Sequence, residues 1–597
     1  MKKFLYIALL GLSLGLYSCD DFLDQSPDER VEITELNQVI QLMASAYPTS
    51  NYGWLCELSS DNVIDVNAPY VNHKADWTNL LHYNLKSYER MDDEIFHFEP
   101  VKSSKSTDSP TSIWQSNYSA ISTVNHALKE LDEICEKNGL VYGDDLPTKY
   151  KATYAEGYLI RAFCHFILVN VFSQAYRNDE LSKKDIGIPY TTTPEDKVFV
   201  DYDRSTVTDT YNKIEEDLIK GLNWVSDVNF SDYRKWHFNA NAAHAFAARF
   251  YLYKRDYEKV IEHADAVLGT DYSALPSKLM SYVRFDDCVT SSDKAHVWQD
   301  PAEPNNIFLL ATYSKQSRHS IGYRYACAGL ALRDVYYHTG PNCNWTARPA
   351  ANISGMYYSK NSDYGFRSTK IGEEFEYTNK LAGTGYPHLI KREFTGCELL
   401  LERAEAKLLK KDPDVDGCIA DLIAYENSQM SFSDANLSYR MASNAMHYLT
   451  REDIEKYYKI VQPVDPMALK ANIIVDWSFT QQQSPDFVVP ENLYIYMNCL
   501  NDFRRWETAF TGRRFFDLKR FGMPFYHVYG EKVETGVIGD TLMVPQFDKR
   551  RAIEVPQEVM VAGMQSSYET PFEPSDPNSG DAIEVKRSDE SIVTNNK

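Results

Sequence analysis

Asp412, Asp414, Asp416, Gly417 and Ile419 match the first half of an EF-hand loop, a spacing that can surround calcium with oxygen ligands. The second half fails, because the position that must supply a bidentate carboxylate is Ile423. The segment therefore reads as a turn between helices, and no metal ion is expected. Nearer the C-terminus, Glu507, Arg514, Asp517 and Arg520 could form a polar cluster. Arg514, Asp517 and Arg520 are spaced by threes along one helix, which suits intramolecular ion pairs and helix-end contacts better than a reaction. A glycoside hydrolase would need two carboxylates flanking a cleft, which 85 acidic residues neither support nor exclude. The sequence has no H-E-x-x-H, no G-x-S-x-G and no phosphate-cradling glycine loop. Cys164 and His165 are adjacent, but on an apolar helical stretch that places them in a core. The ten cysteines include no C-x-x-C pair and no metal-ligand spacing, so neither a zinc site nor a dense disulfide framework is signalled. Neither catalysis nor a cofactor is expected.

The N-terminus carries a different chemistry. Lys2 and Lys3 precede a run from Phe4 to Leu16 that is apolar apart from Gly11, Ser13 and Gly15, too short for a membrane span. Leu16-Tyr17-Ser18-Cys19 closes it and resembles a bacterial lipobox. Residues 1–18 then read as a signal peptide, Cys19 as the lipidated membrane anchor, bearing palmitate among its acyl chains, and 19–30 as a tether. Asp20, Asp21 and Asp24 resemble the surface-export signal of Bacteroidetes lipoproteins, which would place the body outside the cell.

That body, residues 31–597, must supply the elements that position any site. With 43% hydrophobic residues, 42 Tyr, 28 Phe and 9 Trp, a large core is readily built. The net charge of -23 repels phosphate backbones, so nucleic acid is excluded as a partner. Ala155, Leu159, Ala162, Phe163, Phe166 and Val169 fall on one helical face. The segment from Asn239 to Leu268 reads as two helices joined by a tight turn at Arg255-Asp256, with small Ala248 and larger Tyr251 spaced as in a tetratricopeptide repeat. Glu398 to Asn427 repeats the scheme around Asp412-Pro413. Helical repeats are expected over about 150–270 and 395–428, loops laid over them from about 270 to 390, and a C-terminal motif region over 500–560. Such hairpins cannot bury their faces alone and imply a stacked array.

Several segments together resemble the SusD/RagB family. SCDDFLDQSPDE is similar to the family's lipidated opening, IWQSNYSAISTVNHAL to its first helix, and AEGYLIRAFCHFILVNVF to its Ala-Glu…Arg-Ala helix. In RRWETAFTGRRFFDLKRFG, Glu507, Gly512, Arg514, Asp517, Leu518 and Arg520 fall on the C-terminal pattern of Glu, Gly-x-Arg and Asp-Leu-x-Arg, with Thr511 where the family normally has Glu. The resemblance implies a predominantly all-α fold, with tetratricopeptide-like hairpins in one compact SusD-like body and an extensive loop-rich region. It also implies an outer-membrane lid on a SusC-like TonB-dependent transporter, binding glycan without catalysis, or in a minority of members a peptide or other nutrient.

Glycan binding without catalysis needs flat aromatic faces for the apolar side of sugar rings, flanked by groups that bond hydroxyls. Trp77, Trp298, Tyr323, Tyr325 and Trp345, from segments read as loops, meet that requirement, with Asn72, Asn79, Arg324 and Asn344 as polar neighbours. Trp114 and Trp236, on helical patterns, read as core. A protein-interaction scaffold is the other reading, in which a peptide would lie along a groove instead of a glycan on aromatic loops.

Overall fold

The computed structural model describes residues 33–66, 88–194, 202–230, 233–320, 323–327, 340–343, 356–358, 366–430, 446–459, 474–483, 486–528, 541–544 and 548–569. Its helices begin where capping side chains precede apolar periodic runs. Three short ones come first, α1 (Leu36–Ser45), α2 (Gly53–Leu58) and α3 (Arg90–Phe96). The long α4 (Pro110–Lys137) starts on Ser109, whose side chain accepts the Ser112 N–H, with Pro110 at its first position. Next come α5 (Thr148–Phe172) and α6 (Val207–Trp224), the hairpin of α7 (Ala240–Lys254) and α8 (Tyr257–Leu268), then α9 (Ser291–Gln299). A second hairpin, α10 (Gly396–Leu409) and α11 (Val415–Ser428), precedes α12 (Tyr494–Glu507) and α13 (Arg513–Phe521). Successive helices pack as neighbours from α4 to α8, and α10 joins α8 to α11 and α12, so the body is a stacked helical array.

The hairpin turns follow the sequence closely. Arg255 ends α7 in the left-handed region at φ 64°, and Asp256 caps α8 through the Lys259 N–H. Asp414 does the same for α11, its Oδ1 accepting the Gly417 N–H at 2.9 Å. The aspartates of the partial EF-hand pattern thus serve a helix start, and Asp416 pairs with Arg451.

α5 departs from the one-faced expectation. From Ala152 to Phe172 every residue except Tyr158 is buried, because α1, α4, α6 and α7 all pack against the helix. The helix is long and apolar enough to cross a bilayer, yet 94% of that apolar window is buried inside the protein. Its charged Arg161 is held by Asp217 of α6 through two bonds of 2.7 and 2.8 Å.

The stretch read as loops carries strands as well as α9. β1 (Ile64–Asp65), β2 (Asn306–Thr312), β3 (Tyr325–Ala326), β4 (Met356–Tyr358), β5 (Phe366–Ser368), β6 (Glu373–Asn379) and β7 (Thr384–Thr395) precede a late hairpin, β8 (Phe525–Val528) and β9 (Thr541–Val544). β2, β7 and β6 form an antiparallel sheet in that order, and β1 pairs with β3. Phe308 of β2 and Phe394 of β7 pack into the helical core against Phe163 of α5. Both strands are nearly continuous apolar or buried runs at the junction with the helices, so they lack the alternation by which an exposed strand is recognised.

Buried charge joins the C-terminal motif to the rest of the body. Asp517 accepts from Arg504 at 2.9 and 3.1 Å and from Arg520 at 2.8 Å, and Arg520 also holds Glu405 of α10. The Asp517–Arg520 pair is the in-helix contact read from the spacing. Arg514 instead reaches Asp61, just beyond α2, and Glu507 accepts the Tyr425 hydroxyl at 3.2 Å. The preceding Gly512 sits at φ 81°, where an added Cβ would meet the Gly53 Cα at 2.9 Å, and its N–H donates to Glu57.

Candidate binding face

β1 and β3 form a short ladder whose surroundings gather the charged and aromatic side chains of three chain regions. Buried Asp65 of β1 accepts the Nε and Nη2 of Arg324 at 3.0 and 2.7 Å. The pair fixes the guanidinium plane, with its Cζ 5.9 Å from the Tyr88 ring and 5.2 Å from the Tyr325 ring. Tyr88 stands edge-on to Tyr325 at 6.3 Å and is 43% exposed, so its ring is open to solvent above a pinned cation.

Next to this ladder, Tyr323 lies over His319 at 4.7 Å and is half-buried. His319 Nε2 is 3.4 Å from Glu89 and its Nδ1 3.4 Å from Asp92, which also accepts the Trp54 indole N–H at 3.1 Å. Glu89 in turn pairs with Lys315 at 3.2 Å. Below them, burial pushes the Asp108 carboxyl up to about 7 although it accepts the Lys315 N–H.

The sequence candidates divide accordingly. Arg324 and Tyr323 belong to this face. Tyr325 does not present its ring: it is fully buried, stacked on Phe96 at 4.6 Å, with its hydroxyl donating to Asp93. Trp298 is likewise corrected, since it lies on α9 and not in a loop. Its indole is 1% exposed, donates to Thr369 at 3.1 Å, and packs between Phe285 at 5.0 Å and the Arg392 guanidinium at 4.5 Å. Large aromatics are used for packing whenever a core surrounds them. Trp114 is buried against Phe172, whereas Trp236 lies in a half-exposed 3-10 turn and not in the core. Trp77, Trp345, Asn72, Asn79 and Asn344 lie outside the described residues, as does Cys19. The segment 67–87, which holds Asn72, Trp77 and Asn79, leaves β1 at Val66, whose N–H donates to the Arg324 carbonyl at 3.0 Å, and returns at Tyr88.

Sequence reasoning missed Tyr88 and a second aromatic set on the β6–β7 hairpin. Phe375 and Tyr377, two residues apart on one strand face, are 4.9 Å from each other and 46% and 53% exposed. Tyr386 meets Tyr313 at 6.3 Å, and both are exposed. The signal was present in Glu373-Glu374-Phe375-Glu376-Tyr377, which alternates acidic and aromatic residues as a half-exposed strand does.

Residues 21–252, which contain β1, Tyr88 and the helices from α1 to most of α7, match the SusD-like family described as "Starch-binding associating with outer membrane". Over these residues the chain is similar to the SusD-like family. Its fold is also that of solved SusD superfamily proteins. One from Bacteroides vulgatus ATCC 8482 is 13% identical, with a TM-score of 0.52 over 90% of this chain and 99% of its own. Another, from Bacteroides thetaiotaomicron VPI-5482, is 15% identical, with a TM-score of 0.50 over 89% and 99%. No curated protein sequence matches the chain significantly. Most of the described cysteines are buried, as small apolar side chains of the core.

Proposed function

We infer that this protein is a glycan-capturing lipoprotein of the outer membrane, tethered through Cys19 and facing outward, which hands its ligand to a SusC-like TonB-dependent transporter. The observation that carries the reading is the open Tyr88 ring above the Arg324–Asp65 pair, at the root of the segment that contains Trp77, Asn72 and Asn79. An aromatic face beside fixed hydrogen-bonding groups is what a sugar ring requires, and the starch-binding description of the family supports the same ligand class. Trp345 and Asn344 remain part of the proposed platform. Binding and not hydrolysis is the activity proposed, in keeping with the starch-binding description of the family.

Affinity is expected in the micromolar-to-millimolar range, about 4 to 8 kcal/mol, because stacking on exposed rings exchanges water for little apolar area. The test is affinity electrophoresis of the chain from Asp20 onward against a polysaccharide panel, with Trp77→Ala, Tyr88→Ala and Trp345→Ala. Retardation on one glycan, lost in a folded variant, supports the reading. Binding of a peptide library with no glycan retardation would replace glycan by peptide as the ligand.

A further inference from the structure

Within the α7–α8 hairpin, His244 of α7 meets His263 of α8 with their Nδ1 atoms 3.1 Å apart. The ring centroids are 5.3 Å apart with planes inclined at 40°. Tyr251 stacks on His263 at 5.6 Å and 15°, and Lys259 lies 4.3 Å over that tyrosine, so the imidazole is held from its far side. The Lys259 charge is itself met by Glu215 at 3.1 Å and Asp256 at 3.5 Å. Both histidines are partly exposed, and Glu262, next to His263, is exposed. In that contact one ring carries its proton on Nδ1 and shares it with the Nδ1 lone pair of the other.

Two nitrogens bound to one tetrahedral ion at about 2.0–2.1 Å stand about 3.3 Å apart. The spacing found here is close to that bite, and it is set by the packing of two helices of one rigid hairpin. We propose that His244 and His263 are a chelating pair for a divalent transition-metal ion of the zinc, nickel or copper class, the ions that favour imidazole. On binding, the proton shared between the Nδ1 atoms moves to the Nε2 of its own ring, so both rings stay neutral and both Nδ1 lone pairs go to the ion. Water completes the coordination, with Glu262 adjacent. Among the described residues no group of three or more His, Cys, Asp or Glu could hold a metal ion, so this is an exchangeable surface site and not a closed structural one.

The test is isothermal titration of zinc chloride into the full chain at about pH 7.5, where imidazole competes little with protons. The expected result is saturable micromolar binding that weakens about tenfold or more in His263→Ala and in His244→Asn, with each variant checked for folding by circular dichroism. His296→Ala, which removes an exposed histidine on α9, should bind as the parent does. The proposal is overturned if the folded parent shows no saturable zinc binding, or if a folded His263→Ala or His244→Asn binds zinc unchanged.

Discussion

Arg514 and Asp61 are 453 residues apart in sequence and bonded side by side, Nε to Oδ1 at 2.8 Å and Nη2 to Oδ2 at 2.9 Å, each residue 1% exposed. Arg505 joins them, 3.4 Å from the same carboxylate, and Asn501 accepts from the third nitrogen of Arg514 at 2.9 Å. The pair ties α13 to the turn after α2, which leads directly into β1 and the binding face. A buried charge stripped of its partner is costly, whereas the intact pair is close to neutral against an apolar substitute. Asp61→Asn should therefore destabilise the fold by about 3–5 kcal/mol, read as a lower denaturant midpoint. An unchanged midpoint would show that the pair is dispensable.

Gly512 allows that pairing by letting α13 approach α2. Gly512→Ala places a methyl group 2.9 Å from the Gly53 Cα and forces an L-residue into φ 81°. The backbone conformation alone costs about 1–2 kcal/mol, and the clash with main chain adds to it. Thermal unfolding should show a lower Tm for Gly512→Ala, and no change would mean that the two helices separate freely.

Trp298 and Tyr88 make opposite predictions. Trp298→Ala removes a fully enclosed indole and should cost about 3–5 kcal/mol of stability, while any protein that remains folded keeps its glycan retardation. Tyr88→Ala removes an exposed ring. It should leave the unfolding midpoint nearly unchanged and weaken glycan binding by about 1 kcal/mol, measured by the same electrophoresis.

His165 supplies a pH dependence. Its Nδ1–H donates to the Arg161 carbonyl at 2.8 Å and its Nε2 accepts the Thr191 N–H at 3.2 Å, which fixes a neutral ring. Burial lowers its pKa from 6.5 to about 3. As pH falls below 6.5 the unfolded chain takes up a proton that the folded chain refuses until about 3, so stability declines across that window. Urea midpoints measured from about pH 7 down to about pH 4 should fall less steeply in His165→Gln than in the parent. Parallel slopes would refute the assignment.

Local patterns determined much of this protein without a structure. Helix spacing, the capping aspartates Asp256 and Asp414, and the turn at Arg255 are set by neighbours a few residues away, so the hairpins were legible. The same holds for the family motif, because Gly512, Arg514 and Asp517 are identifiable by type and spacing. The Asp517–Arg520 pair also followed from the spacing, but the distant partners of these residues were not legible. Arg514 chooses Asp61 over Asp517, and α5 buries both faces, because helices distant in sequence close around them. The aromatic candidates show the same boundary. Trp298 and Tyr325 look like ligand platforms in sequence, yet Phe285, Arg392, Phe96 and Asp93 enclose them, while Tyr88 carries no motif and stands open. Whether a ring packs or binds depends on what other chain segments cover it, and that is decided only when the tertiary structure brings those segments together.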